Sequence, residues 1–532
     1  MQALGHLRRP PPLTTIIRRG LAKPAPIVRA SAGEATRRKV VKAFGAPPSI
    51  GTIADDSILL EQDYVTELPN VLIRSIGCAR RIFLMNPYLS AAELEGLAYR
   101  LKALTRNEGL SAVLIAPESP QDKTTYGLTG GLPLPHFLRE SRIKVEGPFL
   151  SEEPSYLVSS GYDALELYKK GEHTVKASVD YLFDSLQDFS RAVRGAEGAR
   201  IPTIFVPNGE IADSGAAFLS ASHVMATENS SYTIRNPSRG LTLDPIGLSY
   251  LLPRLGREHG QAAATYPGCA LILALMGYEA DASDMMETGL ATNFFDFTNV
   301  RNIEEALVHM RPWNQQALVK KPVRYYPDPI PTEDHNRDFR NVGVGDLINA
   351  ASDYRADGQD IFDTESEFDD GTFSDPSLNF GDDVPAFAYR ESDLVNYAAT
   401  FHKIFNGEKS AYGILERLKE VAGQDAAGEE EQEAKEVAQD FVDRMERQSP
   451  LALEVTYRLL YKGAGRNETI DDCMARERRA QTKLMGMSDF EQWARLQTKR
   501  GARKQRKEPF KLWRHKSLAH VTQDEVAEVI GG

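Results

Sequence analysis

The sequence predicts an α/β layered protein followed by a long helical region. Between residues 70 and 227, short apolar runs alternate with stretches whose apolar spacing is helical. Glycine, asparagine and proline punctuate the junctions between them. From about residue 391 onward the periodicity is helical almost throughout.

Residues 70–86 read as two short strands joined at Gly77, with Pro87 stopping the second. Residues 90–106 then carry apolar side chains at helical spacing. Ser90 is the expected N-cap, and Glu93 three residues on completes a capping box. The continuous run SAVLIAP at 111–117 predicts a buried strand, so strand, helix and strand should form a parallel pair with a right-handed crossover. After the Gly-rich stretch GLTGG (127–131) comes a mostly helical segment, 151–195. A strand at 201–207, a helix at 211–220 and a strand at 222–227 repeat the unit, and 247–257 and 262–276 read as further helices. Beyond 391, helices are expected at 409–421, 428–447, 449–461 and 489–497. Ser449 caps the third of these, with Pro450 at its first helical position.

Composition narrows the function classes. No apolar run reaches the ~18 residues of a membrane span. Three scattered cysteines (Cys78, Cys269 and Cys473) without a CxxC spacing argue against a disulfide framework or a zinc site, and no metal is expected. The net charge of -12 is unevenly spread. Residues 1–42 carry many Arg and Lys against the single acid Glu34, as an organelle-targeting presequence does, most simply a mitochondrial one. A basic arm retained for nucleic acid is the alternative. Residues 351–390 are strongly acidic and rich in Gly, Ser and Pro, the composition of a solvated insertion or of one docked on something basic. The D-x-D-x-D-G spacing of a calcium loop is missing there.

Several segments follow one another in a telling order: GCARRIFLMNPYLSAAELEGL, IPTIFVPNGEIADSGAAF, HVMATENSSYTIRNPSRGLTLDPIGLSYLLPRLG, ALMGYEADASDMMETGLATNFF, SPLALEVTYRLL and ERRAQTKLMGMSDFEQWAR. As a series, they resemble the 3-hydroxyisobutyryl-CoA hydrolase branch of the enoyl-CoA hydratase/isomerase (crotonase) superfamily, over about residues 56–315 and 391–525. The resemblance implies a crotonase (ClpP/crotonase-like) spiral of β-β-α units with a helical C-terminal region. It divides the chain into the leader 1–42, a core domain 56–320, the acidic insertion 321–390 and the helical region 391–532 with a basic tail at 499–516.

It also implies a site. Family members stabilise an oxyanion of a CoA thioester with two backbone N–H groups in glycine-rich turns, each such donor worth ~2.7–4 kcal/mol. The first turn would hold Gly130 and Gly131, with Leu132 where the branch usually has an acid. The second, a run of three glycines in the family, reads Asp213-Ser214-Gly215, and the Asp213 charge would oppose an oxyanion. Ser214 and Gly215 would then be the vestige of the hole. The family's catalytic glutamate corresponds to Asn236, or to Pro237 if the alignment shifts by one, and neither accepts a proton at neutral pH. A second family carboxylate corresponds to Asp244, which would otherwise be the N-cap of the helix at 247–257. Glu228 and His223 lie nearby but are not expected to act as bases. No catalytic residue is therefore expected, and CoA binding is not expected either. A CoA thioester enters only in the alternative of a working hydrolase, or of a CoA-binding regulator without turnover.

The tail has its own pattern. Lys499, Arg500, Arg503, Lys504, Arg506, Lys507, Lys511, Arg514 and Lys516 interleave with Phe510 and Trp513. Cations contact phosphates and aromatics stack on unpaired bases, so these residues, Trp513 among them, are expected to bind RNA. A solvated loop, or one holding the phosphates of CoA, would need fewer charges. With the leader and the altered site, the chain resembles the degenerate hydrolase homologues of the mitochondrial small ribosomal subunit. That implies a matrix protein partnered by small-subunit rRNA and ribosomal proteins.

Overall fold

The computed structural model describes residues 68–117, 157–195, 199–255, 266–295, 310–312, 392–425, 428–498 and 513–531, with isolated positions at 303, 307, 344, 348 and 354–355. All belong to the unit Leu68–Gly532. The leader, most of the acidic stretch, the turn holding Gly130 and Gly131, and the tail from Lys499 to Lys511 lie outside the described residues.

The chain opens as expected. Strands β1 (Val71–Ile76) and β2 (Ala79–Leu84) pair antiparallel, Val71 opposite Leu84, and the turn between them uses Gly77 at φ +56°. Helix α1 (Ala91–Leu104) starts at Ser90, whose hydroxyl accepts from the Glu93 N–H, while the Glu93 carboxylate accepts from the Ser90 N–H. The crossover ends in β3 (Val113–Pro117), parallel to β2.

The segment read as helical from 151 corrects that expectation. It begins with a short strand, β4 (Leu157–Ser159), before α2 (Ala164–Lys169) and α3 (Lys176–Val193). Next come β5 (Thr203–Phe205) and another strand, β6 (Glu210–Ala212), where the start of a helix was expected. Residues Asp213–Ser220 then wind as 3₁₀ rather than α-helix. β7 (His223–Ala226) is followed by β8 (Ser231–Thr233), and α4 (Leu248–Leu251) passes into a 3₁₀ turn at Leu252–Arg254. Pro253 has no N–H with which to continue the α-helical ladder. α5 (Tyr266–Met276), α6 (Ala282–Glu287), β9 (Asn293–Phe294) and β10 (Tyr354–Arg355) complete this part.

Consecutive strands alternate between two sheets. β3, β5, β7 and β9 enter a seven-stranded sheet of order β1-β2-β3-β5-β7-β9-β10, and β4, β6 and β8 form a parallel three-stranded sheet between those visits. Each turn of the chain thus adds one strand to each sheet, which makes the β-β-α spiral. β2 is buried along its whole length and β3 up to its last residue, as expected for strands covered on both faces. Leu114, Ile204, Met225 and Phe295 form one core cluster. α1 packs along α3, and Phe189 and Phe205 meet Phe218 at 4.9 and 5.0 Å between ring centroids. Burying each such ring contributes ~1.5–3 kcal/mol.

The rest is helical: α7 (Asp393–Thr400), α8 (His402–Gly407), α9 (Ala411–Gly423), α10 (Glu429–Glu446), α11 (Pro450–Gly463), α12 (Ile470–Met485), α13 (Ser488–Thr498) and α14 (Gln523–Ile530). Ser449 caps α11 as expected, accepting from the Ala452 N–H. α11 crosses α4 so closely that a Cβ on Gly463 would lie 1.9 Å from the Ser249 carbonyl oxygen. No described helix is long and apolar enough to cross a membrane.

Candidate functional site

Asn236 opens a 3₁₀ turn, Asn236–Arg239, that closes on Gly240 at φ +75°. Its side chain is buried, and its amide nitrogen donates to the Thr242 carbonyl at 2.9 Å. The backbone N–H groups of Arg235 and Asn236 both donate to Asp213 Oδ1, at 2.7 and 3.0 Å. Arg239 Nη1 stands 2.9 Å from Asp213 Oδ2. Asp213 is the one non-glycine among the described residues at positive φ, +46°, a conformation aspartate tolerates better than most. The sequence placed an opposing charge beside the second turn. The structure turns that carboxylate toward the 235–239 loop and neutralises it with a guanidinium and two amides.

Ser214 and Gly215 follow directly. Ser214 Oγ donates to the Ser160 carbonyl at 2.9 Å, and a Cβ on Gly215 would sit 2.2 Å from the Ser159 carbonyl oxygen. Gly161, at φ +73°, approaches Ser214 equally closely. The loop after β4 therefore packs against this turn without room for another carbon.

Asp244 is not a helix N-cap, which corrects one of the two readings of that residue. The N–H groups of Gly247 and Ser249 are met instead by Glu477 of α12, at 2.8 and 2.6 Å. Asp244 is 1% exposed and points inward. Its Oδ1 accepts from Tyr162 Oη at 2.9 Å and from Gln481 Nε2 at 2.8 Å, while Oδ2 has no partner. Burial, then repulsion from Asp213, pushes its carboxyl up to about 7. Burial and the Asp244 charge raise the Tyr162 phenol well above its ordinary value. Gln481 also accepts from the Thr242 N–H at 2.8 Å, and Thr242 and Thr456 share a hydroxyl hydrogen bond of 2.8 Å. The helical region thus holds the segment 236–244 from behind.

Two further buried carboxyls flank the constellation. Glu210, at the start of β6, pairs with Arg235, and burial against that pairing leaves it at about 7. Burial likewise moves Glu477 to about 7, opposed by its hydrogen bonds to Ser249 and Gly247. His223 is half-buried, with burial lowering its value, and Glu228 is exposed at the end of its strand. Among the described residues, no group of three or more His, Cys, Asp or Glu could hold a metal ion.

The structure brings together Asn236, Asp244, Ser214 and Gly215 and leaves Gly130 and Gly131 outside the described residues. Sequence reasoning missed Tyr162, Arg239 and Gln481. Glu477 and Gln481 did carry a signal, since they occupy the buried face of α12 with Cys473, Met474, Ala480 and Leu484. Of the tail, Trp513 is half-buried and Lys516 exposed. Arg514 reaches Glu525 at 3.1 Å with its guanidinium half-exposed. The other tail cations lie outside the described residues.

The model of a family described as enoyl-CoA hydratase/isomerase matches residues 149–364 and 383–530, skipping part of the acidic stretch. Among solved structures, a carnitinyl-CoA dehydratase from Mycobacterium thermoresistibile is similar at 14% identity, covering 87% of this chain and 96% of that one with a TM-score of 0.56. An enoyl-CoA hydratase from Rhodobacter sphaeroides 2.4.1 is similar at 17% identity, covering 87% and 97%, with a TM-score of 0.54. At these identities the likeness is one of fold. No curated protein matches the sequence.

Proposed function

Because the chain belongs to the enoyl-CoA hydratase/isomerase family, we propose that it is a catalytically degenerate relative of the 3-hydroxyisobutyryl-CoA hydrolase branch, serving in mitochondria as a structural component of the small ribosomal subunit. The observation that carries this reading is the amide at Asn236. Its nitrogen donates to the Thr242 carbonyl, and its backbone N–H is tied to Asp213. An amide so placed can neither accept a proton nor form an acyl intermediate. Loss of a general base alone removes ~10²–10⁴ in rate. The basic leader and tail supply cations for rRNA phosphates, and the acidic stretch offers a surface for basic ribosomal proteins.

Two measurements test the proposal. Purified protein should not turn over 3-hydroxyisobutyryl-CoA above the buffer rate, and a turnover number of about 1 s⁻¹, the low end for ordinary enzymes, defeats it. Native protein from a mitochondrial lysate should sediment with the small ribosomal subunit and leave it when magnesium is chelated. Sedimentation with free proteins at intact magnesium defeats the ribosomal part.

One observation favours a second reading, a working CoA-thioester hydrolase. Asp244 has an unpartnered oxygen and a carboxyl at about 7, which suits a general base at neutral pH. On that reading Asp244→Asn abolishes turnover, and the rate rises with pH through about 7.

A further inference from the structure

The link between α11 and α12 bounds a polar cleft of about 400 Å³ that the site above does not use. That volume lies within the ~300–1,000 Å³ typical of small-molecule sites. Arg466, Arg476 and Arg479 line it, with Asn467, Glu468 and Asp472. The two acids are engaged. Glu468 accepts from Arg476 Nη2 at 2.5 Å, and Asp472 caps α12 through Thr469. Arg476 is only 9% exposed, and its Nη1 has no hydrogen-bond partner. Arg466 and Arg479 stand exposed on the rim. Cations crowd the adjoining face of α11 as well. Burial first, then Arg476 and Arg458, lowers the Lys462 ammonium below its ordinary value, with Arg479 adding to the effect and Glu468 opposing it.

An aromatic surface adjoins this charge. Tyr461 is 57% exposed, stacks on Tyr457 with centroids 6.3 Å apart, and has the Arg458 guanidinium 5.5 Å from its ring centroid. It lies two residues before the end of α11 at Gly463, and the chain beyond that end supplies Gly465 and Arg466 to the cleft. Guanidinium groups recognise phosphate oxygens, and a tyrosine face beside them accepts a base of any identity.

We propose that this cleft is a nucleotide site in which Arg466, Arg476 and Arg479 hold a phosphate and Tyr461 stacks the base. The shared chemistry is a nucleoside phosphate, supplied by a single-stranded RNA or by a free nucleotide. The site is independent of the basic tail and of the ribosomal reading.

The test uses full-length protein and two probes, a fluorescein-labelled RNA of ten uridines and adenosine 3′,5′-bisphosphate. Arg466→Glu combined with Arg479→Glu changes two exposed side chains and gives up one contact, the Arg479 Nε hydrogen bond to the Ile530 carbonyl at 3.4 Å. It should weaken binding of at least one probe about tenfold, the scale of a lost charge-assisted hydrogen bond. If RNA is the ligand, the slope of log K against log salt should also fall by ~1.4, from ~0.7 per phosphate contact on single strands. Tyr461→Ala should weaken the same probe while leaving that slope unchanged. An effect on the bisphosphate alone assigns the site to free nucleotides, and an effect on RNA assigns it to the strand. Wild-type affinity of the double variant for both probes overturns the proposal, as does failure of the wild-type protein to bind either. In the first case, RNA binding that persists and falls on substituting Lys504, Arg506 and Lys507 leaves the tail reading standing.

Discussion

Around Asp213, charge is matched from within. Its two oxygens take the N–H groups of Arg235 and Asn236 and the Arg239 guanidinium, and Arg235 in turn pairs with Glu210. Between α11 and α12 the arrangement is the reverse, with Arg466 and Arg479 exposed and Arg476 keeping an unpartnered Nη1. In the first region charge is part of the packing and fixes the turn 235–239 on the start of the 3₁₀ segment. In the second, Arg476 pairs with Glu468 and Arg479 reaches the Ile530 carbonyl, while Arg466 and Arg479 line an open cleft. The ion pairs around Asp213 tie the 235–239 turn to strand β6 and to the 3₁₀ segment that follows it.

The largest expected effect follows from breaking the internal match. Arg239→Ala leaves the Asp213 carboxylate buried without its cation, which should cost ~3–5 kcal/mol in urea unfolding. Adding Asp213→Asn removes the stranded charge and should restore most of that loss. If the double variant is no more stable than Arg239→Ala, the ion pair is not what holds the turn.

The same region carries a stability that depends on pH. Asp244 titrates at about 7 in the folded protein, against an ordinary value of 3.8. The folded state therefore binds the extra proton between those values, and stability falls as pH rises through that window. Each pKa unit is ~1.4 kcal/mol, so Asp244→Asn, which keeps an oxygen for Tyr162 and Gln481, should stabilise the protein by about 4 kcal/mol at pH 8. At pH 4 the variant and wild type should match. An equal shift at both pH values would show that Asp244 is charged throughout. Glu210 and Glu477, both at about 7, steepen the wild-type decline over the same range.

These two regions also divide what the sequence made legible from what it did not. Strands with five or more residues of apolar or β-branched character, such as Val113–Pro117, announced themselves, as did caps made by neighbours in sequence, Ser90 with Glu93 and Ser449 with Pro450. The three-residue strands Leu157–Ser159, Glu210–Ala212 and Ser231–Thr233 did not. They are shorter than a period-two pattern needs, and their pairing joins segments far apart in the chain. Asp244 was ambiguous for a similar reason. Local sequence favours an N-cap there, but a carboxylate from α12 takes those N–H groups and frees Asp244 to face Tyr162. Asn236, or Pro237 one residue on, could be read from the sequence as standing at the family's glutamate position. That the Asn236 amide binds the Thr242 carbonyl could not be, because Gln481 and Thr456, which hold Thr242, come from helices more than two hundred residues on.

The smallest expected effect completes the contrast. Arg466 is exposed, so removing its charge strands no buried group and opens no cavity. It also takes one cation away from a cleft that Arg476 and Arg479 line as well. Arg466→Glu should therefore change unfolding free energy by less than ~0.5 kcal/mol at moderate salt. Any change should be toward stability, and it should fade as salt screens the cluster. A loss of 2 kcal/mol or more would place Arg466 in the packing, as Arg239 is, and would remove the physical distinction between the two regions.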